Sequence, residues 1–270
     1  MKIFDIHTHV YPDAIAEKAV AALGKFYNFV PQGKGTYDDM TEADRKSEVS
    51  GFLVFSVATN AHQIHRVNEC LIETMKRGRE DGFEAYAFGG MHQDCADMEA
   101  EINYAINGGL CGIKIHPDIQ GEDIDSRKFY PLYEIAEGRF PIYFHMGDDR
   151  PQYRFSSAYK LKKVLSDFPR LKVVAAHLGG YKAGDDERFL FCGNENVYYD
   201  TSSALWYLSP GQAEQIIGRL GCGRVMFGTD YPVMKPEAEL MLFDRLRLPD
   251  EVKEDILYNN AIRFLSEIKA

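Results

Sequence analysis

Two histidines one residue apart, His7 and His9, end the apolar run IFDIHTH. Three more histidines and one aspartate close other short apolar runs: His116 after GIKI, His145 after PIYF, His177 after VVAA and Asp230 after MFGT. Of the eight histidines in the chain, only His62 and His65 fall inside a long stretch of helical period; these five and His92 stand at or just past the run ends. Alternate side chains of an extended strand share a face, so His7 and His9 project together, as do Lys114 and His116. Neutral imidazoles converging with a carboxylate hold a borderline divalent ion such as Zn2+, at roughly 2.0–2.2 Å. The five cysteines are scattered, odd in number and form no C-x-x-C, which predicts reduced thiols and a metal held by nitrogen and oxygen alone. A lone buried histidine is ordinarily a hydrogen-bonded core residue. The weight rests on several independent run ends supplying histidine or aspartate together.

Positioning these residues requires elements that end at one place. Short β-branched or aromatic runs recur at 2–7, 51–58, 83–90, 110–116, 140–146, 171–177, 196–201 and 224–230, and helical stretches separate nearly all of them. The clearest helix is HQIHRVNECLIETMKRGREDG, where Ile64, Val67, Leu71, Ile72 and Met75 make one apolar face before Gly82. FYPLYEIAEGR repeats this on a shorter scale. Strict alternation implies parallel strands joined by right-handed crossovers, and eight units close into a (β/α)8 TIM barrel. An open doubly wound sheet lacks support, because no G-x-G-x-x-G follows the first strand. Residues 25–50 predict a loop over the barrel mouth followed by the first helix, and EVKEDILYNNAIRFLSEI predicts closing helices. No repeat, low-complexity tract or linker divides residues 1–270, so one domain is expected. In such a barrel the carboxyl ends of the strands line the active-site mouth.

The motifs FDIHTH, GIKIHP, FHMG, AHLGG and GTDYP, in this order from residue 4 to 232, and the late NNAIRFL resemble the amidohydrolase superfamily. Within it the chain is most similar to the amidohydrolase-related branch, which includes aminocarboxymuconate semialdehyde decarboxylase and pyrone-dicarboxylate lactonase. The resemblance spans nearly the whole chain and is specific for the superfamily but not for substrate. It implies His7, His9, His145 and Asp230 at a divalent metal, with His177 either polarising substrate or bound water or binding a second metal. It also carries the expectation of a homodimer. A metal acts as a Lewis acid and lowers the pKa of its water toward about 7, while Asp230 accepts the water's proton and passes it to a leaving group. In some members a strand-four lysine in a K-x-x-P setting is carboxylated and bridges two metals; here that lysine is Lys114. Two other readings of Lys114 stay open, a cation that holds an anionic substrate and a lysine paired with Asp5 or Asp200.

The remaining candidates each have two readings. His116 either enters the substrate pocket or stabilises the turn before Pro117. His62 and His65 hang over the mouth or occupy a solvated helix face. Arg150, Tyr153, Arg154 and Lys182 lie on mouth loops and recognise a carboxylate, or are ordinary surface groups. Trp206 and Tyr207 wall an apolar pocket or cap the barrel. Gly179 and Gly180 permit a sharp turn after His177 and form no phosphate loop, since the P-loop spacing is missing.

The composition, 45% hydrophobic and 27% charged over 270 residues with net charge −10, excludes disordered and fibrous classes and offers phosphate backbones or an anionic membrane nothing broad to bind. MKIFDIHTHVYPD has no signal-peptide core, and no apolar run approaches the roughly 20 residues of a spanning helix. A soluble, cytoplasmic protein acting on a small molecule is expected. The leading reading is a metal-dependent hydrolase in which activated water attacks an amide, lactone or ester carbonyl of a small, anionic metabolite. The alternative is non-oxidative decarboxylation. Related decarboxylases place an arginine before strand two to grip the departing carboxylate, and the nearest here is Arg45. A non-catalytic barrel that binds metal or a metabolite is the third reading.

Overall fold

A computed structural model describes residues 2–268. All the expected strands are present, as β1 (Ile3–His9), β2 (Val49–Phe55), β3 (Glu84–Ala87, continued after Phe88 by Gly89–Gly90), β4 (Ile113–Ile115), β5 (Ile142–Phe144), β6 (Val173–Ala175), β7 (Val197–Asp200) and β8 (Val225–Met226). Every ladder is parallel. The first part of β3 pairs with β2 and the second with β4, so the break at Phe88 passes the sheet from one neighbour to the next. β8 returns to β1 through Ile6 N–H to the Phe227 carbonyl (2.9 Å), Asp230 N–H to the His7 carbonyl (2.8 Å) and His9 N–H to the Tyr231 carbonyl (2.7 Å). The sheet is therefore a closed barrel without edges.

Alternation sorts the side chains as the sequence implies. Ile113, Ile115, Ile142, Phe144, Val173, Ala175, Val197, Tyr199, Val225 and Phe227 pack outward under the helices. Phe55, Phe88, Tyr143, Val174, Tyr198 and Met226 fill the interior, joined by Phe264 and Leu265 of the last helix (Asn260–Ser266). Burying each large apolar side chain contributes roughly 1.5–3 kcal/mol. On β1 the ladder slips by one residue between Asp5 and Thr8. This bulge re-aims the strand just where His7 begins the mouth, and it leaves Asp5 bonded to Thr229 and the His7 amide, apart from the histidines.

The long first connection differs from expectation. Helix α1 (Asp13–Tyr27) precedes the loop, and α2 (Tyr37–Lys46) follows it, so the loop is confined to residues 28–36. α1 stops because Asn28 adopts the left-handed conformation (φ 57°) and returns its N–H to Gly24. The helix over Ile64–Glu80 buries Ile64, Leu71, Ile72 and Met75 as read from the sequence. Asn68 joins them because its carboxamide oxygen accepts the Gly90 N–H at 2.8 Å.

Gly51 of β2 lies opposite Glu84, and a Cβ there would stand 2.7 Å from the Glu84 carbonyl oxygen and from the Phe4 ring. Gly51→Ala is expected to lower stability by about 1–3 kcal/mol, read as a lower urea midpoint. Gly211→Ala, on a helix with open space around the new methyl, serves as the neutral or slightly stabilising control.

Candidate active site

The strand ends place three donor atoms in a tight triangle. His7 Nε2 and His9 Nε2 are 3.2 Å apart, and Asp230 Oδ1 lies 3.1 Å from the first and 3.2 Å from the second. Ligands roughly 2.0–2.2 Å from a shared ion on a tetrahedron are separated by about 3.3–3.6 Å, so the triangle, slightly tighter than this, approximates one face of a divalent-metal site. His7 Nδ1 faces Asp200 Oδ2 at 3.0 Å, an acceptor that fixes the proton on Nδ1 and leaves Nε2 as the free electron pair. Against the effects of burial and of Lys114, the Asp230 and Asp200 carboxylates raise the His7 pKa. Burial lowers His9 to about 4. Burial opposes ionisation of Asp230, yet His7 and His9 beside it hold its carboxyl well below the usual range.

His145 stands outside this triangle and pairs with His177, His145 Nδ1 lying 3.0 Å from His177 Nε2. His177 Nδ1 reaches the Ser202 carbonyl at 2.9 Å and His145 Nε2 the Gly147 carbonyl at 3.1 Å. Carbonyl oxygens only accept, so these contacts assign the protons to the outer nitrogens and leave two acceptor nitrogens facing each other. A shared proton or a cation relieves that contact. Burial lowers His177 to about 4 and His145 well below the ordinary imidazole value, which disfavours the proton.

Local backbone strain aims these groups. His177 (φ 62°), Leu178 (φ 52°), Ser203 (φ 51°) and Asp230 (φ 59°) are all left-handed, a conformation that non-glycine residues keep only when their surroundings enforce it. Arg188, fully buried, donates to the carbonyls of His177 (3.1 Å) and Leu178 (2.8 Å) and so pins the strained turn. Ser203 Oγ donates to Asp230 Oδ2 at 2.6 Å.

Lys114 is buried, and its amine has no hydrogen-bond partner among the described residues. The proposed pairing with Asp5 or Asp200 does not form, because Thr229 and the His7 amide occupy Asp5 while His7, Tyr143, Ser202 and the His177 amide occupy Asp200. The amine instead lies 4.5 and 4.6 Å from the Phe55 and Tyr143 ring centroids, and burial lowers its pKa to about 8. His116 takes the turn-stabilising place and does not itself line the cavity over the strand ends. Its Nδ1 accepts the Ile119 N–H at 3.3 Å, capping a short turn, while its ring stacks on His145 at 3.8 Å.

Several mouth residues have other tasks. Arg154 is exposed and paired with Glu187 at 2.9 Å. Arg150 grips Asp148 with two nitrogens (2.9 and 2.6 Å), reaches the Phe26 carbonyl and stacks on Tyr27 and Tyr153, so it fastens the end of α1 over the mouth. Lys182 pairs with Asp149 at 3.3 Å. His62 and His65 are exposed, the latter beside Glu101. His92 is buried and accepts the Asp94 N–H.

A cavity of about 240 Å³ opens on the strand ends, bordered by His145, His177 and Asp230 below and by Tyr27, Tyr181 and Trp206 above. The wall residues Tyr27 and Tyr181, Ser202 and Arg188 escaped sequence reasoning, which read Asp200 only as a partner for Lys114 and missed its orienting role. Asp200 ends its strand as Asp230 does, so the same strand-end rule would have found it. Tyr27 had no such signal, because it reaches the mouth only through the path of α1.

A family model described as Amidohydrolase matches residues 4–266. Among solved structures, the fold is similar to an uncharacterised TIM-barrel protein from Bordetella bronchiseptica (19% identity, TM-score 0.80, 99% of each chain covered). It is also similar to a putative 2-pyrone-4,6-dicarboxylic acid hydrolase from Pseudomonas putida (17% identity, TM-score 0.69, 99% of this chain and 98% of the other). A third similar structure is a dihydroxybenzoic acid decarboxylase from Polaromonas sp. JS666 with bound manganese and 2-nitroresorcinol (13% identity, TM-score 0.70, 100% and 98%). No curated protein sequence matches the chain.

Asp200→Asn removes the charge that orients His7. Zinc affinity, measured by competition with a chromogenic chelator, is expected to fall about 10–100-fold with circular dichroism unchanged.

Proposed function

The chain belongs to the amidohydrolase family, and from that premise we propose a metal-dependent hydrolase that adds water to an amide, lactone or ester carbonyl of a small metabolite. The observation that carries this reading is the triangle of His7 Nε2, His9 Nε2 and Asp230 Oδ1 with Asp200 behind it. These residues would hold the ion, and Zn2+ suits their nitrogen and oxygen donors. A divalent ion is further supported by the manganese in the structurally similar decarboxylase. When bound, the ion supplies Lewis acidity toward a carbonyl and makes water a competent nucleophile near neutral pH.

The chain's own groups handle the proton and the substrate. Asp230 is held ionised, and since Oδ1 belongs to the triangle, the proton of the attacking water arrives at Oδ2, where Ser203 already holds the carboxylate. The same oxygen returns it to the leaving group, which needs a proton to depart as an alcohol or amine. His177 is neutral with its proton on Nδ1, so its Nε2 offers an electron pair and no hydrogen bond. This supports His177 and His145 as ligands of a second ion, with a carboxylated Lys114 as a further ligand. The unpartnered amine and its lowered pKa suit carbamate formation, which requires the neutral amine. The Lys114 charge lowers the pKa of His7, His9, His116, His145 and His177.

Decarboxylation is disfavoured by Arg45. It is exposed on α2 and stacks on Phe83 at 5.0 Å on the outside of the barrel, where it grips no substrate carboxylate.

Elemental analysis of protein purified without chelator is expected to give close to two metals per chain, with native mass spectrometry showing the extra mass of one CO2 that acid removes. One metal without that mass assigns a mononuclear site and a free Lys114. Asp230→Asn is expected to lower kcat for dihydrocoumarin hydrolysis by about 10²–10⁴-fold while the melting temperature stays close to the parent's; a variant that keeps most of its activity removes Asp230 as the base.

A further inference from the structure

Resting on the reading that this cavity is the reactive site, we infer that its substrate is an uncharged aryl ester or lactone of one or two rings, with no ionised group away from the reacting carbonyl. The cavity wall above the metal-ligand candidates is built from Tyr27, Phe29, Tyr181, Trp206, Val233 and Met234, and among the described residues no lysine or arginine lines it. A carboxylate pressed against such a wall loses its hydration with nothing to replace it.

Of the cations in reach of the strand ends, Lys114 is buried and does not line the cavity, and those of the mouth are already neutralised in the fold. Arg150 is doubly bonded to Asp148, Arg154 pairs with Glu187, Lys182 with Asp149 and Lys235 with Asp39. Releasing any of them toward a ligand would strand its acid. The whole chain carries −10, so the long-range field opposes an anion's approach.

Size and shape define the class further. The cavity's 240 Å³ lies between the roughly 150 Å³ of an apolar cavity that holds benzene and the roughly 300–1,000 Å³ of pockets for drug-sized ligands. One ring with a fused or pendant ester fills it. Tyr181 stands between Tyr27 and Trp206, with ring centroids 5.8 and 6.3 Å away at 74° and 40°, so the rings present both faces and edges to a flat guest. Trp206 is 47% exposed at this mouth, apolar surface that a ring entering the cavity would cover.

Trp206 is the sole tryptophan of the chain, so intrinsic fluorescence reports occupancy of this cavity whether or not turnover follows. The test uses the full-length zinc-loaded protein with 3,4-dihydrocoumarin and its 6-carboxylate, read by stopped-flow Trp206 quenching and by steady-state hydrolysis. The neutral lactone is expected to quench at about tenfold lower concentration than the carboxylate, with the preference appearing in KM and not in kcat. Trp206→Ala should raise KM for the neutral lactone and leave that for the carboxylate nearly unchanged. Equal or tighter quenching by the carboxylate, or no quenching by either, overturns the inference. If the neutral lactone binds preferentially but is not hydrolysed, the cavity's preference stands and the hydrolase reading falls. If both are hydrolysed and the carboxylate has the lower KM, the hydrolase reading stands and the inference falls.

Discussion

Three electron-pair donors, His7 Nε2, His9 Nε2 and Asp230 Oδ1, are held 3.1–3.2 Å apart at the mouth end of the barrel, and much of the surrounding structure keeps them there. Such atoms repel unless a cation or proton lies among them. Burial depletes the proton option for His9, and the neighbouring His7 and His9 keep Asp230 ionised against burial. The scaffold must then supply the restraint. It does so at the seam between the first and last strands, where the Asp230 amide binds the His7 carbonyl and the His9 amide binds the Tyr231 carbonyl. Closing the barrel and assembling the donor triangle are the same set of hydrogen bonds.

The second restraint is torsional. His177, Ser203 and Asp230 end successive strands in left-handed backbone conformations, each of which costs energy that the neighbourhood must offset. Arg188 offsets it at His177 by occupying carbonyls that the abrupt turn leaves without ladder partners. Asp200 acts more widely, since one buried carboxylate accepts from His7, Ser202 and the His177 amide. It thereby couples the orientation of the donor triangle to that of the His145 and His177 pair.

The mouth above follows a different rule. Its basic residues are spent on structure: Arg150 fastens the end of α1 by binding the Phe26 carbonyl and stacking against Tyr27, and the others are closed into ion pairs. This leaves aromatic and aliphatic side chains facing the cavity. A protein of net charge −10 thus presents a largely apolar entrance to a strongly polar floor.

The barrel was legible in the chain because each strand is a short run that alternates apolar and special residues, and because histidine or aspartate recurs at the carboxyl ends. That pattern placed His7, His9, His145, His177 and Asp230 at one end without any coordinates. It did not settle how they divide. Only the bulge between Asp5 and Thr8, the left-handed turns and the seam decide that His7, His9 and Asp230 form one group and His145 turns to His177. The roles of Arg150, Arg154 and Lys114 were also beyond the sequence, since a cation's task depends on which acid lies within reach and a one-dimensional reading cannot measure that distance. Tyr27 is the plainest case: it lies 89 residues from His116, and its hydroxyl sits 2.8 Å from that imidazole because α1 runs back across the mouth. Local periodicity determines strands and their ends, whereas contacts between distant segments are fixed by chain path and packing.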